Sequence, residues 1–101
     1  MKVVVVEQVN KIISSLERST AAKTYRTINL LEKFGNSLGL PHSRALKQGL
    51  FELRIRGKQE VRIFYGFKEK TAVLVYAFIK KSQKTPEKHL TLARNNWEDL
   101  P

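Results

Sequence analysis

The side chains best suited to chemistry in this sequence are arginines that alternate with apolar residues in its second half. Arg54 and Arg56 are separated by one apolar residue, and Arg62 lies in the next apolar stretch. Side chains of a strand alternate between its two faces, so we expect these arginines to face solvent or a groove. A guanidinium keeps its charge and offers a planar fork to phosphate. The pattern indicates phosphate binding; the alternative is a solvated face that Glu52 and Glu60 partly neutralise.

Lysines form a second basic cluster further along the chain. Lys80, Lys81 and Lys84 follow a long apolar run and precede Thr85 and Pro86, where a helix is expected to begin. Free backbone N–H groups at a helix start can hold a phosphate. A lysine crowded by other cations is pushed toward its neutral form and becomes a usable base. The alternative is a charged loop whose lysines extend into solvent.

Cations in this arrangement suit the cleavage of RNA without a metal ion. The 2′-hydroxyl of RNA can attack the adjacent phosphorus, provided that a base, cations for the phosphorane and an acid for the leaving oxygen are in place. Phe64 and Tyr76 could stack on an unpaired base, as recognition of single-stranded RNA prefers. Tyr65 has the opposite parity to Phe64 and is at least as well explained as a core residue.

Motifs for other chemistries are absent from the sequence. It contains no Gly-rich phosphate loop, no His/Cys metal spacing and no nucleophile-type serine motif, so neither a metal nor a cofactor is expected. His42 and His89 are each better explained as surface residues than as catalytic ones. There is no cysteine, which excludes a disulfide scaffold and a thiolate metal site.

The charge balance favours a polyanionic partner. Lys and Arg number 19 against nine Asp and Glu, a formal net charge of +10 in 101 residues. Such an excess in a small chain points to nucleic acid, although an acidic protein would satisfy the same charge. The apolar run Val3–Val6 is too short for a signal peptide, and no run approaches the roughly 20 apolar residues of a membrane span. We therefore expect a cytoplasmic protein with one domain over residues 1–101.

The elements that must position these residues follow from hydrophobic periodicity. Val3–Val6 is typical of a short buried strand, and two antiparallel helices should follow, the second beginning at Ser19–Thr20 and ending at Gly35. Residues 36–48 are expected to form a loop. Three strands come next, over 50–56, 61–67 and 71–79, followed by a helix over 86–97. The prediction is an α+β domain in the order β-α-α-β-β-β-α.

Five segments, taken together and in order, resemble a known family. They are Leu50–Arg56, Val61–Tyr65, Phe78–Pro86, the helix end Leu31–Gly35 and the loop Leu40–Leu46. The chain is similar to the RelE/ParE toxin superfamily, and within it to the phage-derived HigB-like branch. The resemblance implies a RelE-like (microbial-RNase-like) fold, in which a twisted antiparallel sheet carries the helical hairpin on one side and a C-terminal helix nearby.

The same resemblance implies a ribosome-dependent endoribonuclease that cuts mRNA and arrests translation. It also implies neutralisation by a helix-turn-helix, HigA-like antitoxin. Position by position, Arg54 and Arg62 match the family's strand arginines that face RNA, and Lys80, Lys81 and Lys84 match its basic segment after the following strand.

Our leading hypothesis is an mRNA endoribonuclease toxin. Arg54 and Arg62 would stabilise the phosphorane, and Lys80 and Lys84 would act as base or acid. The other residues expected to contact RNA are Arg56, Lys58, Phe64, Tyr76 and Lys81. Two alternatives are a non-enzymatic gyrase inhibitor of the ParE type and a non-catalytic RNA- or ribosome-binding module, because a shared fold does not decide function.

Overall fold

A computed structural model describes residues 1–101 as three helices and a five-stranded sheet with the order β1-β5-β4-β3-β2. A short 3₁₀ turn, Gly35–Ser37, follows the second helix. The elements in chain order are β1 (Lys2–Val5), α1 (Glu7–Ser15), α2 (Arg18–Phe34), β2 (Ser43–Ala45), β3 (Phe51–Ile55), β4 (Glu60–Lys68), β5 (Thr71–Lys80) and α3 (Glu87–Glu98). The α+β class is as predicted.

The sheet is mixed, and this corrects the expectation of an antiparallel sheet. β1 runs parallel to β5, with Val4 opposite Val73, while the other strand pairs are antiparallel. β1 is also an edge strand and not a buried one, since Val4 is 39% exposed. A short apolar run predicts an extended backbone but carries no information about the neighbour that its strand will choose.

A further strand, β2, lies inside the segment that was predicted to be a loop. Its three residues pair with β3, Ser43 opposite Leu53, and the Ser43 hydroxyl is hydrogen-bonded to the Tyr65 hydroxyl. A strand of three residues is too short to show period-two alternation, so its partner specifies it and not its own pattern. The observed order is therefore β-α-α-β-β-β-β-α.

One face of the sheet carries α1 and α2. Their apolar side chains pack on the odd-numbered side of β3 and β4 and form a core with these buried residues: Val9, Ile13, Leu16, Ile28, Leu31, Leu53, Ile55, Val61, Ile63, Tyr65, Ala72, Leu74 and Ala77. Tyr25 and Phe34, which continue the helical spacing of Ile28 and Leu31, are instead 55% and 47% exposed. α2 ends at Gly35, whose φ of +53° suits glycine. It begins at Arg18 and not at Ser19–Thr20, because Thr20 is buried and does not cap the helix.

The opposite face is partly covered by α3. Phe64, Val73, Val75 and Phe78 pack with Ala93 in a second core. The helix can approach β4 closely because Gly66 has no side chain: a Cβ there would lie 2.5 Å from the Trp97 ring. α3 begins at Glu87 with Pro86 as its N-cap, one residue later than predicted.

A β-bulge in β5 decides which of its residues face α3. Phe64 pairs with Tyr76 but Tyr65 pairs with Leu74, so Val75 is an extra residue. An extra residue reverses the alternation of all that follow it. Beyond the bulge, the even-numbered residues Tyr76, Phe78 and Lys80 therefore share the α3 side of the sheet.

None of the three helices combines the length and the apolar character that a membrane crossing requires.

Candidate functional site

Two adjoining hollows lie on the α3 side of the sheet, where β3, β4 and β5 extend past the beginning of α3. The first has a volume of about 390 Å³ and the second about 530 Å³. Arg54, Lys80 and Gln83 line both, which makes them one continuous depression. We call it the basic groove and define it by its charged side chains: Arg44, Glu52, Arg54, Arg56, Glu60, Arg62, Lys80, Lys81 and Lys84.

Strand register brings the groove residues together. Arg54 lies directly opposite Arg62 in the β3–β4 pair, and Glu60 lies opposite Lys80 in the β4–β5 pair. Directly opposed residues on one face of a sheet are close neighbours. Arg54, Arg62, Lys80 and Lys84, the four residues to which the sequence assigned chemistry, all line the first hollow.

Arg62 is buried, which corrects the expectation that it faces solvent. It is only 2% exposed, because β4 is an inner strand and Arg54 and Phe78 lie opposite Arg62 on its two sides. Its Nε lies 3.9 Å from Glu52 Oε2 and its Nη2 lies 3.4 Å from Glu60 Oε2. Burial lowers the pKa of Arg62 from its ordinary value and Glu52 opposes that shift, but an arginine remains charged in proteins. Arg62 is thus committed to two carboxylates.

Arg54 is the more available arginine of the pair. Its side chain is 21% exposed, and its Nε lies 3.8 Å from Glu52 Oε1 without a hydrogen-bond partner. The Glu52 carboxylate stands between the two guanidinium groups, which explains how two arginines can occupy opposed positions on one face. Glu52 was expected to neutralise part of a solvated face, yet it is only 6% exposed and lines the groove.

The lysines enter the groove from the end of β5, which carries Lys80, and from the segment between β5 and α3, which carries Lys81 and Lys84. Lys80 Nζ donates a hydrogen bond to the Gln83 carbonyl, 2.7 Å away, which holds the segment back over the end of β5. The Ser82 hydroxyl donates to the Lys84 carbonyl at 2.7 Å. Lys81 and Lys84 are exposed. These local bonds place three ammonium groups along the groove without occupying the head groups of Lys81 and Lys84.

The groove is strongly cationic. Seven of its charged residues are basic and two are acidic. The two carboxylates, Glu52 and Glu60, already contact Arg62, so the positive excess lies with the remaining side chains. A concave surface with this excess concentrates phosphate groups.

The aromatic residues and Lys58 lie less favourably than expected. Phe64 lines the first hollow, but it is fully buried and its ring is stacked on that of Phe78 with centroids 6.0 Å apart, so its face is not free to receive a base. Tyr76 is half-buried and lines neither hollow. Lys58, in the β3–β4 turn, is exposed and also lines neither hollow. The expectation that Phe64 could stack on a base was wrong because α3 covers this face, and the sequence pattern does not reveal that cover.

A histidine on α3 contacts the same aromatic row. The His89 ring stacks on Phe78 with centroids 4.0 Å apart, and its Nδ1 lies 2.8 Å from the Tyr76 hydroxyl. Burial, and then the charge of Lys88, lower the pKa of His89. Burial also raises the pKa of Tyr76. Neither side chain lines the basic groove, so this pair holds α3 on β5 and does not face the hollows.

The residues could hold a phosphate but not, by the usual side chains, a metal ion. No three His, Cys, Asp or Glu side chains come together. Arg44 also lines the groove, although it was not among the residues expected to bind RNA. It lies on β2 opposite Glu52. Only recognition of β2 as a strand would have placed Arg44 beside the other cations.

Comparison with known proteins identifies a family. The family described as "Phage derived protein Gp49-like (DUF891)" matches residues 11–98, which include all the residues of the basic groove. No curated protein matches the chain.

Proposed function

The chain belongs to the Gp49-like family of phage-derived proteins, a family of RelE/ParE-like toxins of toxin–antitoxin systems, and we propose that this member is an mRNA endoribonuclease. It acts in the cytoplasm on mRNA held by the ribosome, needs no metal, and is neutralised by a helix-turn-helix, HigA-like antitoxin. The assignment to the HigB-like branch and to the RelE-like fold is part of the proposal.

One observation carries the proposal: Arg54, Arg62, Lys80 and Lys84 line a single hollow, although they come from two strands, a strand end and a loop. Cleavage through the 2′-hydroxyl needs phosphorane stabilisation and proton transfer at one place. A gyrase inhibitor needs only a surface that fits another protein. The concave concentration of cations therefore favours the ribonuclease over the ParE-type alternative.

In the proposed reaction, a base removes the proton of the 2′-hydroxyl and the 2′-oxygen forms a bond to phosphorus. The bond from phosphorus to the 5′-oxygen then breaks, and an acid protonates that oxygen, leaving a 2′,3′-cyclic phosphate and a 5′-hydroxyl. Arg54, whose side chain is 21% exposed, stabilises the phosphorane with its guanidinium group. Arg62 acts through Glu52, which it holds in place.

The base and the acid come from Lys80, Lys84 or Glu52. Lys80 is held at the end of β5 by the Gln83 carbonyl, and Lys84 is exposed beside it. Glu52 adds a carboxylate beside Arg54 and Arg62 that can accept the proton of a hydroxyl. In this assignment a lysine donates the proton to the leaving oxygen and Glu52 competes with the second lysine for the role of base.

The test is cleavage of a defined mRNA on purified ribosomes, with the ends of the products analysed. We expect 2′,3′-cyclic phosphate ends, and a rate that falls by about a hundred-fold or more in Arg54→Ala, since one electrostatic donor is lost. Arg18→Ala is the matched control, because Arg18 is exposed on α2 and lines neither hollow of the groove.

Two outcomes would contradict the proposal. Intact mRNA together with trapped gyrase complexes would establish the ParE-type alternative. Tight binding of ribosomes or RNA without any cleaved product would establish a non-catalytic binding module.

A further inference from the structure

A third hollow lies outside the basic groove, between α2 and the end of β3. Its volume is about 460 Å³. We call it the α2 pocket; its lining residues are Lys23, Arg26, Thr27, Leu30, Pro41, His42, Arg54, Ile55 and Arg56. Its size is that of a small-ligand site.

The α2 pocket is continuous with the basic groove. Arg54 lines this pocket and both hollows of the groove, and Arg56 lines this pocket and the second hollow. The connection passes the end of β3, where β2 no longer pairs with it: β2 covers only Phe51 to Leu53. Beyond that point the Arg54 backbone N–H donates to the His42 carbonyl at 2.8 Å, which places His42 beside the passage.

The charges of the α2 pocket are of one sign. Lys23, Arg26, Arg54 and Arg56 line it together with His42, and no carboxylate does. Lys23 Nζ donates to the Arg56 carbonyl at 3.1 Å, which ties α2 to the β3 end. Arg26 is exposed. Among the arginines of this pocket, only Arg54 forms an ion pair with a carboxylate, that of Glu52. Arg26 and Arg56 form none.

The rest of the pocket surface is suited to a nucleobase. Leu30, Pro41 and Ile55 supply apolar surface, and His42 supplies a ring. Single-stranded nucleic acids are bound by cations that follow the phosphates and by flat or apolar side chains that take the bases. One pocket offers both kinds of surface within the volume of a nucleotide-sized ligand.

We propose that the α2 pocket binds a second nucleotide of the single-stranded RNA whose cleaved bond lies in the basic groove. The proposal rests on the proposed function for the identity of the groove's substrate. Arg56, which lines both sites, carries the connecting phosphate. An acidic protein segment would use the same cations, but continuity around the end of β3 favours one strand that passes through both sites.

The test measures binding of an RNA oligonucleotide of about twelve nucleotides, which is long enough to span both sites. Arg26→Glu should weaken its binding by about ten-fold or more, because the strand loses a phosphate contact in the α2 pocket. Arg18→Glu is the matched control: it reverses a charge on the same helix outside the pocket. In nuclear magnetic resonance titrations, uridine 5′-monophosphate should shift signals of Leu30 and His42 in the wild type and not in Arg26→Glu.

Several results would overturn the inference. Equal losses for Arg26→Glu and Arg18→Glu would reduce the effect to net charge. If inorganic phosphate binds as tightly as the nucleotide, the pocket does not recognise the base. If a glutamate peptide competes better than RNA, the pocket is a protein-binding site. If the wild type binds the nucleotide in this pocket but cleaves no mRNA, the proposed endoribonuclease activity is wrong, while the α2 pocket is still a nucleotide-binding site.

Discussion

Arg62 and Glu52 determine the groove at the scale of single residues. Arg62 is 2% exposed and Glu52 is 6% exposed, and they lie 3.9 Å apart from Nε to Oε2. An arginine this deeply buried holds its neighbours in place and is a poor direct ligand for RNA. Arg54, which shares Glu52 with it, is left to meet the phosphate.

The first prediction concerns the stability of this pair. Arg62→Ala should lower the free energy of unfolding by about 3–5 kcal/mol, because it removes one of the two arginines that pair with the buried Glu52 carboxylate. In the double variant Arg62→Met/Glu52→Gln the loss should be much smaller, since no buried charge is left alone. Urea unfolding followed by circular dichroism measures both.

Arg54→Ala is the matched comparison. Because the Arg54 side chain is 21% exposed, its loss should lower the free energy of unfolding clearly less than Arg62→Ala does. Equal losses in Arg62→Ala and in the double variant would show that the two charges are not coupled. Loss of activity in Arg62→Ala therefore says little about catalysis unless stability is measured beside it.

At the scale of elements, the docking of α3 positions the lysines. The loop that carries Lys81 and Lys84 runs from β5 into α3, so both of its ends are set by how α3 lies on the sheet. Trp97 packs over Gly66 at one end of the helix, and His89 is bonded to Tyr76 near the other. Loosening either contact would move the groove's lysines without altering them.

The second prediction follows from the lowered pKa of His89. Its folded-state pKa lies below the ordinary 6.5, so the fold favours the neutral ring, and this contribution is fully present above pH 6.5. Stability should fall as the pH drops through the folded-state pKa, because protonation places a charge on a ring that the fold keeps neutral.

His89→Phe keeps a ring to stack on Phe78 and removes the titration. The difference in urea midpoint between about pH 8 and about pH 5 should therefore be smaller in His89→Phe than in the wild type. An unchanged difference would mean that the acid sensitivity arises elsewhere in the chain.

At the scale of the whole molecule, the net charge of +10 is distributed unevenly. The hollows of the basic groove and the α2 pocket adjoin one another around the end of β3 and share Arg54. Other cations, such as Lys2 on the edge strand and Arg18 at the start of α2, are exposed away from these hollows. The general charge attracts a polyanion, and the hollows decide where it is held.

The third prediction separates these two contributions through salt. For single-stranded nucleic acids, the logarithm of the association constant falls linearly with the logarithm of the salt concentration, and the slope becomes less steep by about 0.7 for each phosphate contact removed. Lys80→Ala/Lys81→Ala should reduce the slope for RNA binding by about 1.4, and the equally charged control Lys2→Ala/Arg18→Ala should change it little. Equal reductions in the two variants would show that RNA is bound by diffuse attraction and not in the groove.

Residue types and their spacing were enough to predict the helical hairpin, the three long strands, the α+β class and the set of cations. Alternation placed Arg54 and Arg62 on the face opposite Ile55, Val61 and Ile63, because period two is a local property of any strand. Gly35 marked the end of α2 for an equally local reason, its positive φ.

Only the tertiary structure decided how deeply those cations are buried and which of them share a site. The parallel pairing of β1, the short β2, the bulge at Val75 and the cover that α3 places over Phe64 all depend on contacts between distant parts of the chain. Periodicity reports which side of an element is apolar, but it does not report which element lies against that side. For that physical reason the sequence determined the chemistry available to this protein, and the packing of its elements determined that Arg62 supports the groove while Arg54 and the lysines line it.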